Sequence, residues 1–139
     1  MKLRVLLADD STMIREILRM ILEMDPDIDV VGEVNNGRDV LLAVSKTCPD
    51  VVCMDINMPG MNGIEATQQL LADYANVKVI GLSVHTDHAP VANITAAGAS
   101  GYVVKEDAGS ELLDAIRTVC RGQIYLSRSL GIKGLESTL

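Results

Sequence analysis

Short, continuous apolar runs alternate with stretches of helical periodicity along the chain. The first run covers residues 3–8, broken only by Arg4. Ser11 or Thr12 is a candidate helix cap, and Ile14, Ile17, Leu18, Ile21 and Leu22 then recur at i, i+3, i+4, i+7 and i+8. That spacing predicts a helix with one buried stripe. Asp25-Pro26-Asp27 stops it, and residues 28–34 read as a second strand. Asn36-Gly37 is a turn before a helix over 39–46. Pro49-Asp50 breaks the chain ahead of the third apolar run, Val51, Val52, Cys53 and Met54. A loop through Pro59-Gly60-Met61-Asn62-Gly63 leads into a helix over about 64–74. A fourth strand is predicted over 77–82, and an irregular helix with Pro90 near its start over 88–97. A fifth strand follows at 102–104, then a helix capped by Gly109 or Ser110, with Leu112, Leu113, Ile116, Val119 and Cys120 as its stripe. After Gly122 the periodicity fades.

Strands alternating with helices imply a parallel sheet covered on both faces. Runs without internal alternation agree, because a strand buried on both faces has no polar side. Five such units predict an α/β, flavodoxin-like, doubly wound (βα)5 domain with strand order 2-1-3-4-5.

This frame gives the polar residues a place. Open parallel sheets bind ligands at the carboxyl ends of their strands, where strand order reverses, here between strands 1 and 3. Strand 1 runs into Asp9-Asp10 and strand 3 into Asp55, so three carboxylates converge. Strand 4 ends in Ser83 and strand 5 in Lys105. Clustered carboxylates repel and call for a cation, and hard oxygen ligands suit Mg²⁺. A carboxylate beside Mg²⁺ and a lysine can attack a phosphoryl group to form an aspartyl phosphate. Each residue alone has a plainer account: helix-dipole acids for Asp9-Asp10, a loop acid for Asp55, a surface lysine for Lys105. The four strand ends together favour the site. A calcium loop starting at Asp55 fails, since Pro59 stands where a ligand belongs and the twelfth position is Ala66. His85 and His88 have no third ligand nearby in sequence.

Leu6-Leu7-Ala8-Asp9-Asp10, the run from Asp55-Ile56-Asn57-Met58-Pro59-Gly60 to Gly63, Leu82-Ser83, and Gly98 through Tyr102-Val103-Val104-Lys105 resemble the receiver domains of two-component response regulators. The resemblance covers about residues 1–125. It implies Asp55 as phosphoacceptor, loaded by a sensor histidine kinase with Mg²⁺. It implies Asp10 as a direct metal ligand, Asp9 largely through water, and Asn57 through its backbone carbonyl. Ser83 would be the switch hydroxyl and Tyr102 the rotating aromatic. Leu112-Leu113-Asp114-Ala115-Ile116 and Gly122 through Tyr125-Leu126-Ser127 are similar to the branch carrying a LuxR/NarL-type helix-turn-helix domain. On that reading residues 126–139 begin a linker to a DNA-binding domain that this chain lacks, and a homodimer is a candidate active form. One departure is Glu106 after Lys105, where many receivers have proline. Without proline a cis bond costs about 3 kcal/mol, so a trans peptide is expected.

Composition narrows the classes. With 12 basic and 19 acidic residues the net charge is −7, which repels nucleic acid and gives this domain no DNA surface of its own. Aromatics make up 2%, without Trp or Phe, so the core must be aliphatic. Cys48, Cys53 and Cys120 form no metal or disulfide pattern, which predicts reduced thiols in the cytoplasm. No apolar run reaches the roughly 18–20 residues of a membrane span, and the start lacks a signal-peptide pattern. Two other classes compete: a stand-alone receiver acting by protein contact, as in chemotaxis or phosphorelays, and an aspartyl-nucleophile phosphatase. The phosphatase class usually has an Asp-x-Asp pair at its first strand, and here the nucleophile candidate ends strand 3 with Asn57 in the second position. The expectation is therefore a receiver, and not a turnover enzyme.

Overall fold

In the computed structural model, residues 2–84 and 88–129 are described, without the side chains of 88–90. The elements are β1 (Leu3–Ala8), α1 (Thr12–Glu23), β2 (Ile28–Val34), α2 (Arg38–Thr47), β3 (Val51–Asp55), α3 (Gly63–Asp73), β4 (Lys78–Ser83), α4 (His88–Ala96), β5 (Gly101–Val104), a 3-10 turn (Lys105–Asp107), α5 (Ala108–Cys120) and β6 (Tyr125–Leu126). The sheet is parallel throughout, in the order β2-β1-β3-β4-β5-β6. The α/β flavodoxin-like parallel fold is as expected, but the sheet has six strands, not five. The sixth is a two-residue edge pairing with β5, too short to show as an apolar run.

Successive strand residues feed opposite faces, so each run is apolar throughout. Val5 and Leu7 pack with Val51, Cys53, Leu18 and Leu22 of α1, and Leu112 and Ile116 of α5. Leu6 and Ala8 pack with Val52, Met54, Val40 and Val44 of α2, Leu70 of α3, and Ile94 of α4. A wholly buried leucine such as Leu22 contributes about 1.5–3 kcal/mol. Gly81 in β4 leaves room for Ile94, whose Cγ1 lies 3.0 Å from where a Cβ would stand.

Two details correct the sequence expectations. Ile17 is 46% exposed. With Leu18 and Leu22 centred on the core, a neighbour 100° around the helix turns outward. The last helix starts at Ala108, following directly on the 3-10 turn, so neither Gly109 nor Ser110 is its cap. Ser11 does cap α1, its Oγ accepting from the N–H of Ile14 at 3.2 Å. Pro90 falls in the first turn of α4, where its missing N–H breaks no helical bond. His85 and the side chain of His88 lie outside the described residues, as do residues 130–139. No helix among the described residues is long and apolar enough to cross a membrane.

Candidate functional site

Strand register brings the site together. Ala8 pairs with both Val34 and Met54, so Asp9 and Asp55 leave adjacent strands side by side. Ser83 pairs with Val104, which puts Lys105 one residue beyond that hydroxyl's strand level. Local turns then aim the carboxylates. Asp9 Oδ1 accepts from the N–H of Ser11 at 2.9 Å, and Asp55 Oδ1 from the N–H of Asn57 at 3.0 Å. Both are side-chain turns of the kind that Asp favours at strand ends. The loop after Asp55 closes tightly, with Gly63 N–H donating to the Ile56 carbonyl at 2.9 Å. A Cβ on Gly63 would stand 2.2 Å from the Asp55 carbonyl oxygen, so only glycine allows that approach.

Lys105 bridges two of the acids. Its Nζ lies 2.8 Å from Asp9 Oδ2 and 3.3 Å from Asp55 Oδ1, with the side chain 14% exposed. Each pair attracts by roughly 5 kcal/mol at an effective dielectric near 20, before desolvation offsets it. Burial alone would lower the Lys105 pKa, but the close Asp9 contact and the two carboxylate charges outweigh it and hold the ammonium above its ordinary value. Asp55 is raised as well, but here burial is the cause. Burial pushes its carboxyl up, against the Asn57 N–H and the Lys105 charge, and the Asp9 charge adds to the rise. The structure brings Asp9, Asp10 and Asp55 together, with one oxygen from each within 4.8 Å of the others. Asp9 and Asp55 are buried and Asp10 is exposed. Ser83 is buried on the same rim, and Tyr102 is wholly inside the core. The Lys105–Glu106 peptide is trans, as the missing proline predicts.

The acids fit a divalent cation. Three carboxylates against one ammonium leave a net charge of −2. Asp9 Oδ2 is fully buried and, although in ion-pair contact with Lys105, accepts no well-aligned hydrogen bond. An oxygen in that position has ligand capacity to spare, and an all-oxygen set with one exposed member suits Mg²⁺.

A family model described as "Response regulator receiver domain" matches residues 5–117. The chain belongs to this family. The receiver is 40% identical over 90% of its length to "Transcriptional regulatory protein DegU" of Brevibacillus brevis, covering 53% of that protein. It is 41% identical over 92% of its length to "Response regulator UvrY" of Escherichia coli K12, covering 59%. The chain thus spans a little over half the length of these curated relatives. A solved two-component response regulator of the LuxR family from Aurantimonas sp. superposes with a TM-score of 0.93 at 30% identity, covering 99% of both chains. These likenesses put the receiver in the LuxR/NarL branch of two-component response regulators.

Sequence reasoning missed one cluster. Glu111, in the first turn of α5, is buried, and its carboxylate accepts from Tyr125 Oη at 2.6 Å, Ser127 Oγ at 3.0 Å and the N–H of Arg128 at 2.9 Å. The available signal was an acid next to the apolar stripe of the last helix, with partners 14 to 17 residues away.

Proposed function

We propose that the receiver accepts a phosphoryl group on Asp55 and converts it into a changed surface around α4, β5 and α5. The single observation behind this reading is Lys105 held between Asp9 and Asp55 at the carboxyl ends of β1, β3 and β5. A carboxylate oxygen of Asp55 attacks phosphorus as the bond to the donor breaks. With a phosphohistidine of a sensor kinase the leaving nitrogen keeps the electron pair, and with an acyl phosphate a carboxylate leaves. The Asn57 N–H orients Asp55, and Lys105 offers its charge to the developing phosphoryl oxygens. Asp9, Asp10, Asp55 and the Asn57 carbonyl would hold Mg²⁺, which supplies charge neutralisation at the phosphoryl group.

The product adds about two negative charges at a buried position. Ser83 and Lys105 then turn to the phosphoryl oxygens, and Tyr102, already inside the core, repacks behind Ser83. Inverting a 1:99 resting equilibrium takes about 5.5 kcal/mol of differential stabilisation. Receivers of this kind label and dephosphorylate themselves and are not turnover enzymes.

For the whole protein, we infer a receiver over 1–125 followed by a linker from 126, its first residues docked on the domain. The linker leads to a helix-turn-helix domain that binds DNA, as in cytoplasmic transcription factors, with a homodimer as a candidate active form. The names of the relatives, a transcriptional regulator and a response regulator, support this. So does the acidic charge, which leaves DNA contact to another domain. Incubation with acetyl phosphate and Mg²⁺ should add one phosphoryl mass to the chain and none to Asp55→Asn. Equal labelling of that variant removes Asp55 from the role.

A further inference from the structure

The cluster around Glu111 bears on the site at the carboxyl end of β5. Glu111 is 2% exposed. A buried carboxylate is tolerated only when its oxygens are filled. The three donors filling it are Tyr125 Oη, Ser127 Oγ and the Arg128 N–H, all from one short segment beyond α5. Gly122, at φ +81, ends α5 and turns the chain back towards β5. The segment then pairs with β5: Tyr125 N–H donates to the Ser100 carbonyl at 3.0 Å, and Ser127 N–H to the Tyr102 carbonyl at 2.9 Å. Ser127 is wholly buried. Its Oγ accepts from the N–H of Val104 at 3.3 Å, gives its proton to Glu111, and lies 3.4 Å from Asp107 Oδ2. Val104 directly precedes Lys105, and Asp107 ends the 3-10 turn that Lys105 begins. The segment therefore holds the Val104 backbone on one side of Lys105 and meets the Asp107 side chain on the other.

We propose that residues 125–128 are a positioning element for Lys105 and so a two-way coupling between the phosphoryl site and the chain leaving the domain. The proposal rests on the reading of Asp55 above. Lys105 Nζ sits on Asp9 and Asp55 in this structure and must move to meet a phosphoryl oxygen. Any part of that movement that reaches the backbone between Val104 and Asp107 meets Ser127, which is bonded to the Val104 N–H and lies against the Asp107 side chain. The segment follows or loses its bonds. Coupling of this kind is reciprocal: whatever a phosphoryl group does to the segment, the segment does to phosphoryl affinity.

The test uses the 139-residue chain, Mg²⁺ and beryllofluoride, a phosphoryl mimic. Amide hydrogen exchange at Ser127 and Arg128 should change about fivefold or more on saturation, the lower end of ordinary coupling. Asp55→Asn should show no such change. Ser127→Ala should weaken beryllofluoride binding by about fivefold while Mg²⁺ affinity stays within about twofold. Ser127→Thr, which keeps the hydroxyl, should restore it. Ile28→Val, in the far edge strand, should lower the melting temperature and leave both affinities unchanged. Where Ser127→Ala does not fold, Tyr125→Phe makes the same comparison with a single bond removed. If beryllofluoride binds the wild type with both amides unmoved, or if the variant weakens Mg²⁺ and beryllofluoride alike, the coupling is overturned and the role of Asp55 stands. If the wild type binds no beryllofluoride at all, the reading of Asp55 fails and the coupling with it.

Discussion

Asp55 works against the stability of the domain that carries it. Burial raises its pKa above the ordinary carboxyl value, more than Asn57 and Lys105 can lower it. A carboxyl with a raised folded-state value binds its proton more tightly folded than unfolded. The stabilisation is full below the unfolded value and is lost as pH rises through it to the folded value. At neutral pH, without divalent ions, the charged carboxylate is a net cost. Asp55→Asn should therefore raise the urea midpoint at pH 7 in the presence of chelator. The gap should close as pH falls through the folded value and below the ordinary carboxyl value, where both side chains are uncharged. A variant less stable than wild type at pH 7 would contradict the burial argument. Cys53 shows the same physics in an inert setting: burial pushes its thiol up to about 12, with Cys120 adding a little, so it stays protonated.

Two loops meet behind the phosphoacceptor, and a glycine sets how closely. Gly37, ahead of α2, has φ −70 and ψ −28, which any residue adopts. Its need for glycine is a matter of space, since a Cβ would stand 1.9 Å from the Met61 carbonyl oxygen. Gly37→Ala must displace either the start of α2 or the loop between Asp55 and Gly63. Such overpacking costs typically about 1–3 kcal/mol, and the displaced loop should also slow acetyl-phosphate labelling. The same change at Gly109 in α5, where a Cβ meets nothing within 4 Å, should stabilise by up to about 1 kcal/mol. Thermal melts of the two variants should move in opposite directions. The long elements were readable because each strand is an unbroken apolar run and each helix carries a stripe. β6 was not, because two residues have no period. The burial of Glu111 was equally hidden, because the residues that satisfy it lie beyond the helix and meet it only through the fold. The strand-end residues Asp9, Asp55, Ser83 and Lys105 were legible because sheet topology alone forces parallel strand ends to one rim. Ile17 was misplaced because a five-residue stripe is wider than the contact α1 makes.

Across the molecule, the acidic cluster makes stability depend on the cations present. A ligand that binds only the folded state at 100 times its dissociation constant stabilises by about 2.7 kcal/mol. For a domain of this size that is roughly 8–13 °C in melting temperature. Mg²⁺ should give such a shift at fixed ionic strength, chelator should reverse it, and Asp10→Asn should shrink it. An equal shift with K⁺ would reduce the effect to screening of the −7 net charge. The aliphatic core has one more consequence, an optical one. With no Trp or Phe, the near-ultraviolet dichroism of the chain comes from Tyr74, Tyr102 and Tyr125 alone. Tyr102 lies inside the core three residues before Lys105, and Tyr125 hydrogen-bonds Glu111 in the outgoing segment. Two of the three chromophores thus stand along the route from the phosphoryl site to the chain's exit, and the unaltered protein carries its own spectroscopic reporter there.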